Sequence, residues 1–139
     1  MSKFEEMPHR FGMSKLGILY SWLFTANLLI WMSLVMIVRE RVESSRLLFL
    51  LGFIPNFFAA LAIFFKILEI QEKKSRLSNF LPKKALGISI LTFLILLSGE
   101  LVQEFLLGGV FDVLDLFASL AGLVLSIFLY QLIQTRINL

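Results

Sequence analysis

The fold depends on one turn segment, Glu100-Leu101-Val102-Gln103-Glu104-Phe105-Leu106-Leu107-Gly108-Gly109-Val110-Phe111-Asp112-Val113-Leu114-Asp115. Its central pair of glycines is a turn signal, and long apolar runs lie on both sides. A short turn makes the two flanking helices antiparallel neighbours. The segment also carries carboxylates into the more apolar half of the chain, where ionisable groups are costly and indicate a functional site.

The composition indicates an integral membrane protein. The chain has 139 residues, of which 58% are hydrophobic and 17% charged, and its mean hydropathy is +0.87. Soluble domains average about 45–50% apolar residues. The polar side chains are too few to cover a water-facing surface, so we expect a single membrane domain over residues 1–139, with the lipid bilayer as its main surrounding.

Several classes of site are excluded by composition. The chain has no cysteine and one histidine, His9, so disulfides, thiolate metal sites and histidine-rich metal centres are ruled out. The net charge of +3 and the pI near 9.5 could suggest nucleic acid. The basic residues, however, lie between apolar runs, where membrane topology places them. We expect no nucleic-acid partner, no cofactor and no dedicated metal ligands.

Four apolar runs predict an all-α, four-helix transmembrane bundle with short loops. The predicted helices cover about residues 16–38, 47–66, 85–107 and 113–135, each long enough for a hydrocarbon core of about 30 Å. Residues 1–15 are expected to form a juxtamembrane tail. Pro55 cannot donate a backbone hydrogen bond, so we expect a kink in the second helix. Asn56 beside it would either satisfy freed carbonyls or point into a cavity.

The distribution of basic residues predicts the topology. Three of the 13 Lys and Arg residues lie in residues 1–15, six in residues 66–84 and one near the carboxyl terminus. The positive-inside rule then places both termini and the loop at residues 66–84 in the cytoplasm. The turn at Gly108-Gly109 is therefore expected on the extracytoplasmic side.

Two polar faces are predicted to meet near this turn. Glu100, Gln103 and Glu104 follow helical spacing on the third helix. Asp112 is the expected N-cap of the fourth helix, with Asp115 in its first turn. A stripe of small and polar residues continues from there, which lets two helices approach closely in lipid; it consists of Asp115, Ser119, Gly122 and Ser126.

Three interpretations of this acidic cluster remain open from the residues alone. In the first it is structural, with Glu100 protonated or bonded to Gln103, to Ser119 or to backbone carbonyls. In the second, the carboxylates and Gln103 bind a polar or cationic group at the outer leaflet. In the third, a pair of carboxylates acts as acid and base or holds a divalent cation. Capping explains Asp112 and Asp115, whereas neither capping nor solvation explains Glu100.

The same residues resemble the signature of VanZ-like membrane proteins. The resemblance covers roughly residues 95–126 and rests on Glu100-x-x-Gln103 followed by Phe111-Asp112-x-x-Asp115-x-x-x-Ser119-x-x-Gly122. The sequence departs from it at Gly109, where the family usually has Arg, and at Ser119, where it usually has Asn. The resemblance implies a small multi-pass protein of the bacterial inner membrane with a role in the cell envelope.

Together, these observations lead to one expected function and two alternatives. We expect a non-enzymatic envelope protein that binds a lipid-linked or amphiphilic ligand, glycopeptide-related molecules included, in an extracytoplasmic acidic pocket. The expected binding residues are Glu100, Gln103, Glu104, Asp112, Asp115 and Ser119. The alternatives are a membrane-embedded carboxylate or metal-dependent hydrolase or transferase, and an assembly subunit that contacts another membrane protein.

Overall fold

The computed structural model describes residues 14–74 and 76–137, and most of the predicted juxtamembrane tail, including His9, lies outside these ranges. The described chain is helical and contains no strand. Its four long helices are α1 (Lys15–Ser33), α2 (Ser45–Glu72), α3 (Ala85–Leu107) and α4 (Val113–Ile137). A π-helical turn, Leu34–Val38, and a short helix, Arg39–Arg41, continue α1, and a 3₁₀ turn, Leu77–Phe80, lies between α2 and α3.

All four helices, with the π-helical turn counted with α1, are long and apolar enough to cross a membrane, with mean hydropathies of 1.9 to 2.3 in their most apolar windows. The predicted all-α architecture with four membrane-spanning helices is therefore confirmed. The second helix extends from residue 45 to residue 72, beyond the predicted 47–66 at both ends. It runs through Pro55 as one helix, and the kink there stays a prediction.

Helix α2 is the centre of the bundle, with its most extensive contacts to α1 and α4, whereas α3 contacts α4 and α2 less extensively. The buried core accordingly consists mainly of α2 side chains. Phe64 and Phe65 are fully buried, and the Phe65 ring stacks on Tyr20 of α1 at 6.1 Å between centroids. Burial of aromatic side chains contributes the largest apolar area per residue, so these contacts hold α1 and α4 to α2.

The bundle has two chemically different ends. At the acidic end, α1 and α3 finish, α2 and α4 begin, and the turn at residues 108–112 carries carboxylates to either side. The basic end contains the segment of residues 73–84, which has five Lys or Arg residues and no Asp or Glu. Neighbouring helices run in opposite directions, so the carboxyl ends of α1 and α3 lie at the same end of the bundle as the amino ends of α2 and α4.

Side-chain hydrogen bonds join the helices at the basic end. The Ser14 hydroxyl caps α1 by accepting from the Gly17 amide at 3.0 Å and donates to the Glu72 carboxylate of α2 at 2.5 Å. The Gln134 amide of α4 donates to the Tyr20 hydroxyl at 3.2 Å. These bonds connect α1 to α2 and to α4, while the acidic end is left more open.

A buried carboxylate on α2 is neutralised within its own helix. Glu69 is 2% exposed, and its carboxylate lies 3.0 Å from the Lys66 ammonium and 2.7 Å from that of Lys73. The Lys66 ammonium also lies 4.7 Å from the centroid of the Phe24 ring on α1. The i,i+3 and i,i+4 spacings let both lysines reach one carboxylate, as a buried charge requires.

Candidate functional site

A cavity of about 630 Å³ opens at the acidic end of the bundle. All four helical segments contribute to its walls, and so does the turn between α3 and α4. The lining residues are Trp31, Val35, Gly52, Pro55, Asn56, Glu100, Gln103, Val110, Phe111, Asp112 and Asp115. The volume is within the range of about 300–1,000 Å³ that is typical of small-molecule sites. We call this space the acidic cavity.

Glu100 and Asn56 face each other across the acidic cavity. The Asn56 side-chain amide on α2 donates to the Glu100 carboxylate on α3 at 3.4 Å. Both side chains are half-buried, because Glu100 lies about two turns, and Asn56 about three turns, from the helix terminus at this end of the bundle. A bond of this length is weak, so the Glu100 carboxylate retains acceptor capacity for a further donor.

Gln103 lines this cavity and Glu104 does not, because the two side chains point to different sides of α3. Viewed along a helix axis, the side chain three residues further on is rotated by about 60° to one side of the first side chain. The side chain four residues further on is rotated by about 40° to the opposite side. Gln103 lies on the side of Glu100 that lines the cavity, whereas Glu104 lies outside the lining. The predicted trio of α3 therefore contributes two lining residues.

The two aspartates enter the acidic cavity from the start of α4. Asp112 is the N-cap, as predicted, because its carboxylate accepts from the Leu114 amide at 2.9 Å. Asp115 lies in the first turn of the helix and also lines the cavity. Carboxylates are favoured at a helix N-terminus because its free amides carry partial positive charge. The helix terminus thus stabilises negative charge that the cavity would otherwise disfavour.

The turn before Asp112 is built by glycine backbone. Gly108 adopts a left-handed conformation, with φ of +68°, and ends α3. The Gly109 amide donates to the Gln103 carbonyl at 2.8 Å, and a Cβ at Gly109 would lie 3.2 Å from that oxygen. Only residues without a Cβ fit this close return comfortably. The turn is followed by Phe111 and Asp112, which line the cavity together with Glu100 and Gln103 of α3.

Ser119 and the small residues below it lie in helix packing. The Ser119 hydroxyl is buried and donates to the Asp115 carbonyl within α4 at 2.9 Å, and Ser119 does not line the cavity. A Cβ on Gly122 would lie 2.5 Å from the Phe57 carbonyl oxygen of α2. At Gly122 the small-residue stripe therefore packs against α2, whereas its first member, Asp115, lines the cavity together with Glu100 and Gln103 of α3. The lack of a side chain at Gly122 allows α2 and α4 to approach this closely.

Five lining residues come from the first two helices, outside the predicted site: Trp31, Val35, Gly52, Pro55 and Asn56. Asn56 has a sequence signal, because it is a polar residue beside a proline in an apolar run. Trp31 and Val35 have none, since they belong to an uncharged run without distinguishing spacing. The π-helical turn that contains Val35 is a feature often found at functional sites, but it follows from no residue pattern in the sequence.

The chemistry of the acidic cavity is that of a hydrogen-bond acceptor site. Glu100, Asp112 and Asp115 bring carboxylates, Gln103 and Asn56 bring amides, and no Lys or Arg is among the lining residues. Apolar walls complete it, formed by Trp31, Val35, Pro55, Val110 and Phe111. Within the described ranges, no group of three or more His, Asp or Glu side chains converges as a metal site. The combination suits a ligand with a donor or cationic group and an apolar body.

Comparison of the chain with protein-family models, with curated proteins and with solved structures finds no match.

Proposed function

We propose that this protein binds an amphiphilic or lipid-linked ligand in the acidic cavity, and that the ligand carries a cationic or hydrogen-bond-donating head. The observation that carries the proposal is the lining itself, which combines three carboxylates and two amides with apolar side chains, in a chain whose helices are otherwise suited to lipid. Carboxylates favour a cationic partner because a charge-assisted hydrogen bond is about twice as strong as a neutral one.

The cellular setting belongs to the same proposal. The resemblance to VanZ-like proteins supports a small protein of the bacterial inner membrane with a role in the cell envelope. The excess of basic residues in residues 66–84 supports cytoplasmic termini and an extracytoplasmic acidic cavity. A ligand in this position would be reached from the outer leaflet, where lipid-linked and glycopeptide-related envelope molecules are found.

Binding is favoured over catalysis for a specific reason. A metal-dependent hydrolase needs several ligands that converge on one point, and no such group occurs in the residues that the structure describes. The carboxylates instead spread along the cavity wall from Glu100 to Asp112. The same surface could instead contact another membrane protein. Analysis of both the amphiphiles and the proteins that co-purify with this protein distinguishes that assembly role from ligand binding.

Mass spectrometry of molecules that co-purify with the protein tests the proposal. The wild type, Glu100→Gln and Glu104→Gln are purified side by side from the same membranes. Both variants remove one carboxylate from α3, but only Glu100 lines the acidic cavity, so Glu104→Gln is the matched control. We expect an amphiphile that is retained by the wild type and by the control and is depleted about tenfold or more in Glu100→Gln.

A defined probe makes the test independent of the natural ligand. A long-chain primary amine should bind the purified wild type, and its N-methyl-N-acetyl form, which has neither the charge nor a hydrogen-bond donor, should not. Equal depletion in both variants, or equal binding of the amine and its neutral form, contradicts the proposal. Loss of a co-purifying protein with unchanged amphiphile would instead identify the assembly role.

A further inference from the structure

A second cleft lies at the opposite, basic end of the bundle. It has a volume of about 390 Å³ and is lined by Gln71, Lys74, Ser78, Asn79 and Lys83. These residues come from the end of α2 and from the segment before α3. No carboxylate is among them, and every lining side chain carries a hydrogen-bond donor. We call this space the basic cleft.

The shape of the basic cleft is set by the backbone around it. Lys74 has a φ of +48°, the only positive φ of a non-glycine residue in the described chain, and this left-handed residue turns the chain away from α2. The Gln71 side-chain amide donates to the Pro82 carbonyl and so joins the two sides of the loop. A Cβ on Gly87 would lie 2.7 Å from Pro82 Cβ, so the loop is also packed closely on α3.

The charges of the cleft are not consumed within the protein. The nearby carboxylate of Glu69 is held by Lys66 and Lys73, and that of Glu72 accepts from Ser14. Lys74 and Lys83 form no ion pair with any carboxylate in the described ranges. Two ammonium groups with a side-chain amide beside them form a site for an anion with several acceptor oxygens.

The surroundings of the cleft indicate a lipid as the source of that anion. The 3₁₀ turn that borders it exposes two apolar side chains, with Phe80 86% and Leu77 55% exposed. An exposed apolar turn next to basic residues is typical of segments that lie in the membrane interface, with apolar side chains among acyl chains and cationic groups among headgroups. The turn connects two spanning helices, so it lies at that depth.

We propose that the basic cleft binds the phosphate headgroup of an anionic phospholipid, with Lys74 and Lys83 as its cationic contacts and Leu77 and Phe80 inserted among the acyl chains. This site is separate from the acidic cavity and does not depend on its function. The lysines would attract the headgroup, the Asn79 side chain would supply a further hydrogen bond, and Gln71 would hold the loop in position.

Binding of short-chain phosphatidylglycerol to the purified protein tests the proposal. The variant pair Lys74→Gln/Lys83→Gln is compared with Lys15→Gln/Arg136→Gln, which removes the same charge at the same end of the bundle but outside the cleft. We expect the cleft pair to weaken binding about fivefold for each lysine removed, and the control pair to weaken it less than twofold in total. Lys74→Arg/Lys83→Arg should retain binding, which shows that the fold is intact.

Two outcomes overturn the inference. Equal weakening by the cleft pair and the control pair would mean diffuse attraction of lipid to a basic surface. Displacement of the lipid by millimolar inorganic phosphate, with no effect of Phe80→Ser on lipid binding, would mean a site for free anions. The proposal expects inorganic phosphate to compete poorly, and Phe80→Ser to weaken lipid binding by several-fold.

Discussion

The side-chain amide of Asn56 on α2 lies 3.4 Å from the carboxylate of Glu100 on α3, although 44 residues separate them in the chain. This is a direct side-chain link between these helices at the acidic end. It passes beside the cavity that the two helices share with α1 and α4. The pair therefore connects the stability of the bundle to the state of the proposed binding site.

A double-mutant cycle should detect this link. Asn56→Leu and Glu100→Leu are combined, and the free energy of unfolding is measured in mixed micelles. Hydrogen bonds between membrane helices contribute about 0.6 kcal/mol on average, and we expect a coupling energy of about that size. The pair Asn56→Leu and Glu104→Leu serves as control and should be additive. Coupling in the control but not in the test pair would show that the helices are arranged differently.

Asp112 allows capping and ligand binding to be separated. Asp112→Ala removes the bond to the Leu114 amide and should lower the free energy of unfolding by about 1 kcal/mol. Asp112→Asn keeps a good N-cap but removes one negative charge from the cavity. We expect it to retain stability and to weaken binding of a cationic amphiphile, as measured on the same preparations. Unchanged binding in both variants would limit Asp112 to a capping role.

Gly122 should tolerate no side chain. A Cβ there would lie 2.5 Å from the Phe57 carbonyl oxygen, and backbone cannot move aside as a side chain can. Gly122→Ala should therefore push α2 and α4 apart and destabilise the protein by about 1–3 kcal/mol. Gly99→Ala is the matched control in a helix, since no atom lies within 4 Å of its added Cβ. It should be neutral or stabilising in the same thermal unfolding measurement.

The two lysines that hold Glu69 should behave non-additively. Their side chains are 40% and 43% exposed, whereas that of Glu69 is 3% exposed. Lys73→Met alone leaves one partner and should cost about 1 kcal/mol or less. Lys66→Met should cost slightly more, because it also removes the contact with the Phe24 ring.

The combined Lys66→Met/Lys73→Met variant should lose about 3–5 kcal/mol, because it leaves a buried carboxylate without a partner. The free energies of unfolding of the two single variants and the double variant provide the measurement. Simple addition of the single effects would indicate that Glu69 is solvated, contrary to its burial.

Orientation in the membrane can be tested by cysteine labelling, since the chain has no native cysteine. Val110→Cys lies in the turn at the acidic end and Asn79→Cys in the loop at the basic end, and both wild-type side chains are exposed. A membrane-impermeant maleimide added to intact cells should label Val110→Cys. It should label Asn79→Cys only after the membrane is permeabilised. The reverse pattern would place the acidic cavity on the cytoplasmic side.

Much of the architecture follows from the linear order of residues. Long uncharged runs must form helices in lipid, because every backbone amide and carbonyl needs a partner where no water is available. The turn is also readable, since Gly108 and Gly109 allow a left-handed, close return and Asp112 caps the next helix. These are local effects, so the neighbours of each residue in the sequence are sufficient to produce them.

The composition of the acidic cavity depends on contacts that sequence spacing does not encode. Helical spacing groups Glu100, Gln103 and Glu104, but packing of α3 on its neighbours selects the first two for the cavity and leaves the third outside its lining. Likewise, the stripe around Gly122 is visible in the sequence, whereas its partner, α2, is not. In an apolar bundle every helix has several faces fit for burial, and local pattern cannot choose among them.

Residue order thus establishes four spanning helices, the turn between the last two and a cluster of acids beside it. The tertiary structure adds Asn56, Trp31 and Val35 to that cluster and directs Ser119 into helix packing. The physical reason is the range of the forces. Backbone hydrogen bonding and capping act within a few residues, whereas close packing of helices depends on the shapes of surfaces that are distant in the chain.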